Sequence, residues 1–99
     1  MIDLSAVLGF QWDEGNARKN KQHGVSMAEA EQVFFNSSLL VLPDARHSDA
    51  EPRFHALGKS NEGRRLHITI TLRDADQFIR VISARDMQRK ERVIYEQAS

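Results

Sequence analysis

Between Leu66 and Arg73 the chain alternates strictly: Leu66, Ile68, Ile70 and Leu72 are apolar, whereas His67, Thr69, Thr71 and Arg73 are not. A period of two places these sets on opposite faces of an extended strand, and the β-branched Ile and Thr residues favour that backbone. A strand with one apolar face requires a sheet, so the remaining chain is read around this segment. Downstream, Asp74-Ala75-Asp76 turns into the run Phe78 to Ala84, which is apolar on both faces and therefore predicted to be central. Upstream, Arg53 to Gly58 reads as a strand joined to the alternating one by the turn Ser60-Asn61-Glu62-Gly63. Leu39 to Leu42 is a further strand, closed by Pro43-Asp44. Four runs joined this way make an antiparallel meander.

Helical signals flank the meander. Gly9 to Trp12 reads as a short strand, after which Asp13 offers an N-cap and Glu14 an acidic first turn for a helix through about Gln22. That helix has Ala17 as almost its only apolar residue, so it faces water or a ligand rather than a core. Gly24 is placed to stop it in the left-handed conformation. Ser26 and Glu29 form a capping box for a second helix carrying the apolar stripe Met27, Ala30, Val33 and Phe34. Asp86 can cap a last helix with Met87, Ile94 and Ala98 inward and Arg89, Lys90 and Arg92 outward. The expected fold is α+β: an antiparallel sheet with two N-terminal helices and a C-terminal helix, gathered on one side or at one end. With 99 residues there is room for one domain, 1–99, in which 1–8 is a loosely ordered extension.

The absence of cysteine excludes disulfides and thiolate metal sites, and fits a reducing cytoplasm. The longest apolar run, Leu39 to Leu42, is too short to span a bilayer, and Met1-Ile2-Asp3-Leu4 does not open like a signal peptide. A cytoplasmic protein with no membrane partner is expected. The formal net charge of +0 argues against a purely electrostatic nucleic-acid binder. The charge is nevertheless divided, at −3 over residues 1–50 and +3 over residues 51–99. Eight of the ten cations in the second half are arginine, whose planar fork matches phosphate.

An ordered set of short motifs spans nearly the whole chain. Phe10-x-Trp12-Asp13-Glu14 is followed by Asn20, His23-Gly24-Val25-Ser26, Glu29-Ala30 and Phe34. Glu51-x-Arg53 precedes Gly58, and the strongest block is Ile79-Arg80-Val81-Ile82-Ser83-Ala84-Arg85 with Arg89-x-Glu91-Arg92-x-x-Tyr95. In this order the motifs resemble the BrnT toxins of type II toxin–antitoxin systems. The resemblance implies a fold similar to the RelE-type ribonucleases and RNA cleavage, without metal or cofactor, that inhibits translation. It also implies neutralisation by a BrnA-type antitoxin, with two toxins and two antitoxins assembled and operator DNA contacted only through the antitoxin. One position departs from the pattern: Gln22 stands before His23-Gly24 where the family reads lysine. Either Lys19 or Lys21 supplies the missing charge, or the chain is a catalytically degenerate module that holds its antitoxin and co-represses the operon.

Metal-free RNA cleavage needs a base for the 2′-hydroxyl, cations around the pentavalent phosphate and an acid for the leaving oxygen. Under the resemblance, the catalytic candidates are His23, Arg53, Arg80, Ser83 and Arg85. An unperturbed imidazole changes charge near neutral pH, which makes His23 at a predicted helix end the acid–base candidate, although capping the helix is an equal use for it. Ser83 can bond a phosphate oxygen or position an arginine. Arg80 and Arg85 could instead pair with Glu91 or Asp86. Lys19, Lys21, Arg64, Arg65, Arg73 and Arg89 are the substrate-binding candidates. His55 and His67 read as sheet-surface residues, Phe10 and Trp12 as core, and Tyr95 as packing. His47 beside Asp44 and Asp49 lacks a third nitrogen ligand, so no metal site is expected.

Overall fold

The computed structural model describes residues 4, 6–13, 15, 23–47 and 51–98. Its strands are β1 (Gly9–Gln11), β2 (Leu40–Pro43), β3 (Arg53–Lys59), β4 (Arg65–Arg73) and β5 (Phe78–Asp86). They form one sheet in the order β1-β5-β4-β3-β2. Strands β2 to β5 are the antiparallel meander. β1 departs from the expectation of an all-antiparallel sheet: it runs parallel to β5, with Phe10 opposite Ile79. No hairpin links these two strands. The chain leaving β1 crosses to the opposite edge before β2, a long connection of the kind that parallel pairing requires. The added strand gives β5 a neighbour on each side, the interior position expected of its apolar run, with β4 the middle strand of the five.

The helices are α1 (Met27–Gln32), extended by a 3₁₀ turn at Val33–Phe35, and α2 (Arg89–Ala98); a second 3₁₀ turn covers Ala45–His47. The predicted helix from Asp13 to Gln22 falls almost wholly outside the described residues, as do Lys19 and Lys21. At α1 the capping box is half realised, since the Ser26 hydroxyl accepts from the Glu29 amide at 3.1 Å. Gly24 has a φ of 72°, the left-handed geometry foreseen for it.

Helices lie on both faces of the sheet, which corrects the expectation that they gather on one side. On the first face, Val25, Ala30 and Val33 pack on Leu66, Ile68, Ile70, Ile79 and Val81, all buried. The approach is closest at Gly58, where an added Cβ would stand 2.6 Å from Val33 Cγ1. Leu4 and Val7 are half-buried against this cluster, and the Leu8 amide donates to the Gln77 carbonyl at 2.6 Å. On the second face, Tyr95 of α2 and Met87 before it bury themselves with Leu57, flanked by Leu40 and Leu42.

Of the anchors expected for α2, Met87 and Tyr95 are buried, whereas Ile94 and Ala98 are exposed. Tyr95 is 2% exposed while Ile94 is 42% exposed, so the helix is turned with its aromatic inward. Asp86 ends β5 and does not cap α2. The cap comes from Glu91, whose carboxylate reaches back to accept from the Gln88 amide at 2.8 Å. Arg89, Lys90 and Arg92 are exposed, as read from the sequence. Among the described residues no helix is long and apolar enough to cross a membrane.

Candidate active site

Three polar residues of β4, His67, Thr69 and Thr71, do not face water. Because α2 covers part of the second face, His67 is 7% exposed, Thr69 9% and Thr71 1%. Register builds a polar floor around them: His67 lies between Leu57 and Arg85, Thr69 between His55 and Ser83, and Thr71 between Arg53 and Arg80. Opposed residues of antiparallel strands share a face, so three strands contribute to one surface. A β-bulge makes this arrangement possible. Thr69 pairs with Ser83 and Ile70 with Val81, leaving Ile82 as an extra residue in β5. The bulge puts Arg80 on the same face as Ser83 and Arg85, although a regular strand would set them on opposite faces.

Above this floor is a cleft of about 520 Å³, lined by Arg53, His55, His67, Ser83, Arg85 and Glu91, with Leu42, Leu57 and Ile94 as apolar walls. The rings of His55 and His67 meet at a centroid separation of 4.6 Å. His55 is held on both sides: its Nε2 is 3.0 Å from Oδ2 of the buried Asp44, and its Nδ1 is 3.2 Å from Thr69 Oγ1. Asp44 is itself fixed, accepting from the Arg46 amide at 3.1 Å. Thr71 anchors the floor by donating to the Pro52 carbonyl at 2.7 Å.

The second imidazole is held differently. His67 Nε2 stands 3.5 Å from Glu91 Oε2, and its buried Nδ1 has no hydrogen-bond partner among the described residues. Burial lowers the His67 pKa to about 4, an effect that the Glu91 carboxylate opposes and that Arg85 and His55 reinforce. The ring is therefore neutral near pH 7. Burial would by itself raise the Glu91 carboxyl; the Arg85 fork, the Gln88 amide and nearby His67 overcome it and hold the group at about 2. The Arg85–Glu91 pair is bidentate, with both Nη–O distances at 2.8 Å. Its hydrogen bonds raise the guanidinium pKa against the opposing effect of burial.

Of the residues proposed from sequence, Arg53, Ser83 and Arg85 come together in the cleft. Arg80 shares the sheet face but is not among the cleft-lining residues, and its Nη2 donates to Asp13 at 2.7 Å. His23 is not brought to them. It lies in an exposed turn just before α1, at the Arg65 end of β4 but outside the cleft lining, where its carbonyl accepts from Arg64 at 3.4 Å.

Arg64 serves the fold at that end. It donates to Asp86 at 2.7 and 3.0 Å, to Glu29 at 2.9 Å and to the Gly24 carbonyl at 2.7 Å. With the His23 contact, each N–H of the fork has a protein acceptor. Arg65 pairs with Glu96, and Arg73 with Glu51 at 3.2 Å. Arg89 is exposed on α2, while Lys19 and Lys21 lie outside the described residues.

Sequence reasoning missed Asp44, His55, His67, Thr69 and Glu91. The signal for them was the alternation of β4 itself, since a polar face needs no burial until a second amphipathic helix requires somewhere to pack. Among the described residues no group of three His, Asp or Glu side chains is arranged to hold a metal ion.

Comparison with known proteins places this geometry in context. The family described as the ribonuclease toxin BrnT of type II toxin–antitoxin systems matches over residues 12–91. The crystal structure of the Brucella abortus ribonuclease toxin, BrnT, is similar with a TM-score of 0.62 and 23% sequence identity. That match covers 84% of this chain and 100% of the Brucella chain, a likeness of fold. No curated protein sequence matches the chain.

Proposed function

Since the chain belongs to the BrnT family of ribonuclease toxins of type II toxin–antitoxin systems, we propose that it is a metal-independent endoribonuclease whose reaction takes place in the cleft over β3, β4 and β5. The observation that carries this reading is the meeting of two arginines and two differently held imidazoles in one cavity. In the proposed reaction the 2′-hydroxyl attacks the adjacent phosphorus, the bond to the 5′-oxygen breaks, and a 2′,3′-cyclic phosphate remains. His67, kept neutral by burial, accepts the 2′ proton. His55, oriented by Asp44, gives a proton to the leaving 5′-oxygen, which takes the place of Thr69 Oγ1 at Nδ1. Arg53 and Arg85 balance the charge of the pentavalent phosphate, and Ser83 bonds one of its oxygens. His23 has no part in these proton transfers.

The same reading includes inhibition of translation and a BrnA-type antitoxin, in an assembly of two toxins with two antitoxins that reaches operator DNA only through the antitoxin. Arg65, Arg73 and Arg89 contact flanking phosphates, with Lys19 or Lys21 standing in for the lysine that Gln22 replaces. Purified protein should cut single-stranded RNA in the presence of EDTA and leave cyclic phosphate ends. Arg53→Ala and Arg85→Ala should each lower the rate by about 10²-fold or more. A wild-type protein that captures its antitoxin yet leaves RNA uncut would overturn this reading in favour of a degenerate binding module.

A further inference from the structure

Arg85 as it stands cannot receive a phosphate on the edge formed by its two terminal nitrogens. Both of its terminal nitrogens are bonded to the two oxygens of Glu91, and Nη1 also donates to the Asp86 carbonyl at 3.0 Å. The same carboxylate takes the Gln88 amide at the start of α2 and faces His67 Nε2. One anionic group thus collects a guanidinium fork, a helix N-terminal amide and an imidazole, all beside the cleft. The fork and the amide are donors that a phosphate would use. His67, in addition, is buried with its Nδ1 unpartnered among the described residues.

We propose that Glu91 is a built-in competitor for the scissile phosphate, so that the cleft is latched in this conformation and opens when the Glu91 side chain turns out to solvent. The proposal rests on the ribonuclease reading given above and adds a form of regulation to it. Two carboxylate oxygens on the Arg85 fork occupy the positions that two non-bridging phosphate oxygens would take. Release also uncovers His67 Nε2, so the anion site and the proposed base become available in the same step.

The surroundings allow such a motion. Glu91 lies on the first turn of α2 with 19% of its side chain exposed, beside the exposed Arg89 and Lys90. The helix is pinned further along by Tyr95, so this turn can release its carboxylate without losing the apolar anchor. RNA arriving with its own phosphates meets Arg89, Lys90 and Arg92 on the outer face, which favour the exchange of one anion for another. A partner that holds α2 down would keep the latch closed.

The test is the affinity of the whole protein for a short single-stranded RNA with 2′-O-methyl sugars, which cannot be cleaved. Wild type, Glu91→Gln and Arg85→Ala are compared by titration, with thermal melting as the check on folding. Glutamine can still accept from the Gln88 amide, so the cap survives while the negative charge held against Arg85 is lost. Glu91→Gln should bind the oligonucleotide about tenfold more tightly than wild type, a difference of ~1.4 kcal/mol, and Arg85→Ala should bind more weakly than either. Equal or weaker binding by a folded Glu91→Gln would overturn the latch and make Glu91 a positioning residue for Arg85, leaving the ribonuclease reading intact. Binding unaffected by Arg85→Ala would instead remove the cleft as the phosphate site, and the latch with it.

Discussion

The buried imidazole makes a quantitative statement about stability in acid. His67 titrates at about 4 in the folded protein, against an ordinary value of 6.5, and desolvation is the principal cause. The charged groups facing it are Glu91 on α2, Arg85 on β5 and His55 on β3. Between these two values the unfolded chain binds a proton that the folded chain refuses. Stability is therefore fully present above pH 6.5 and declines as the pH falls toward 4, by up to about 1.4 kcal/mol per unit. Across the window this amounts to about 3 kcal/mol, a large share of the roughly 5–15 kcal/mol that holds a domain together. The Glu91 carboxyl, held at about 2 rather than 4.5, adds a second loss only below pH 4.5. Urea unfolding between pH 4.5 and 7.5 therefore isolates the histidine. In His67→Gln the dependence of stability on pH over this range should flatten by about 2–3 kcal/mol relative to wild type. If the two proteins lose stability in parallel, His67 is not the neutral group that the proposed chemistry requires.

Other consequences follow from the same contacts. Gly58→Ala forces a methyl against Val33 and should destabilise by about 1–3 kcal/mol, lowering Tm by roughly 5–20 °C for a domain of this size, as read by calorimetry. Arg64→Met should lower stability by about 1 kcal/mol after allowance for solvent screening of a fork 30% exposed. Its RNA cleavage rate, measured well below Tm, should stay within about twofold of wild type, since a fork committed to Asp86 and Glu29 has no donor left for RNA. The doubly substituted Arg89→Ala, Arg92→Ala protein should bind single-stranded RNA with a salt dependence reduced by about 0.7 per lost phosphate contact. An unchanged slope would remove the outer face of α2 from the RNA path.

The strands of the meander were legible because each carries its own local signal. The alternation of Leu66–Arg73 and the turns at Ser60–Gly63 and Asp74–Asp76 need no knowledge of distant partners. What could not be read depends on contacts far apart in the chain. The parallel pairing of Phe10 with Ile79 is set by a crossover, and no short-range pattern marks it. The polar side of β4 became a buried floor because Tyr95, nearly thirty residues later, packs on Leu57 beside it. His55 and His67 consequently read as surface residues. Asp86 has the chemistry of a cap, yet Arg64 claims it through two hydrogen bonds, and Glu91 supplies the cap instead. The sequence motifs brought forward His23, Arg53, Arg80, Ser83 and Arg85; the bulge at Ile82 explains how Arg80 shares a face with Ser83 and Arg85, while His23 and Arg80 do not line the cleft.

The most direct test of the account is the rate of metal-free cleavage of a single-stranded RNA by His67→Ala and His23→Ala, side by side in EDTA. Removal of the proposed base should slow the reaction by about 10²-fold or more, while removal of the exposed turn histidine should leave it within a few-fold of wild type. Full activity in His67→Ala together with its loss in His23→Ala would contradict the placement of the chemistry in the cleft.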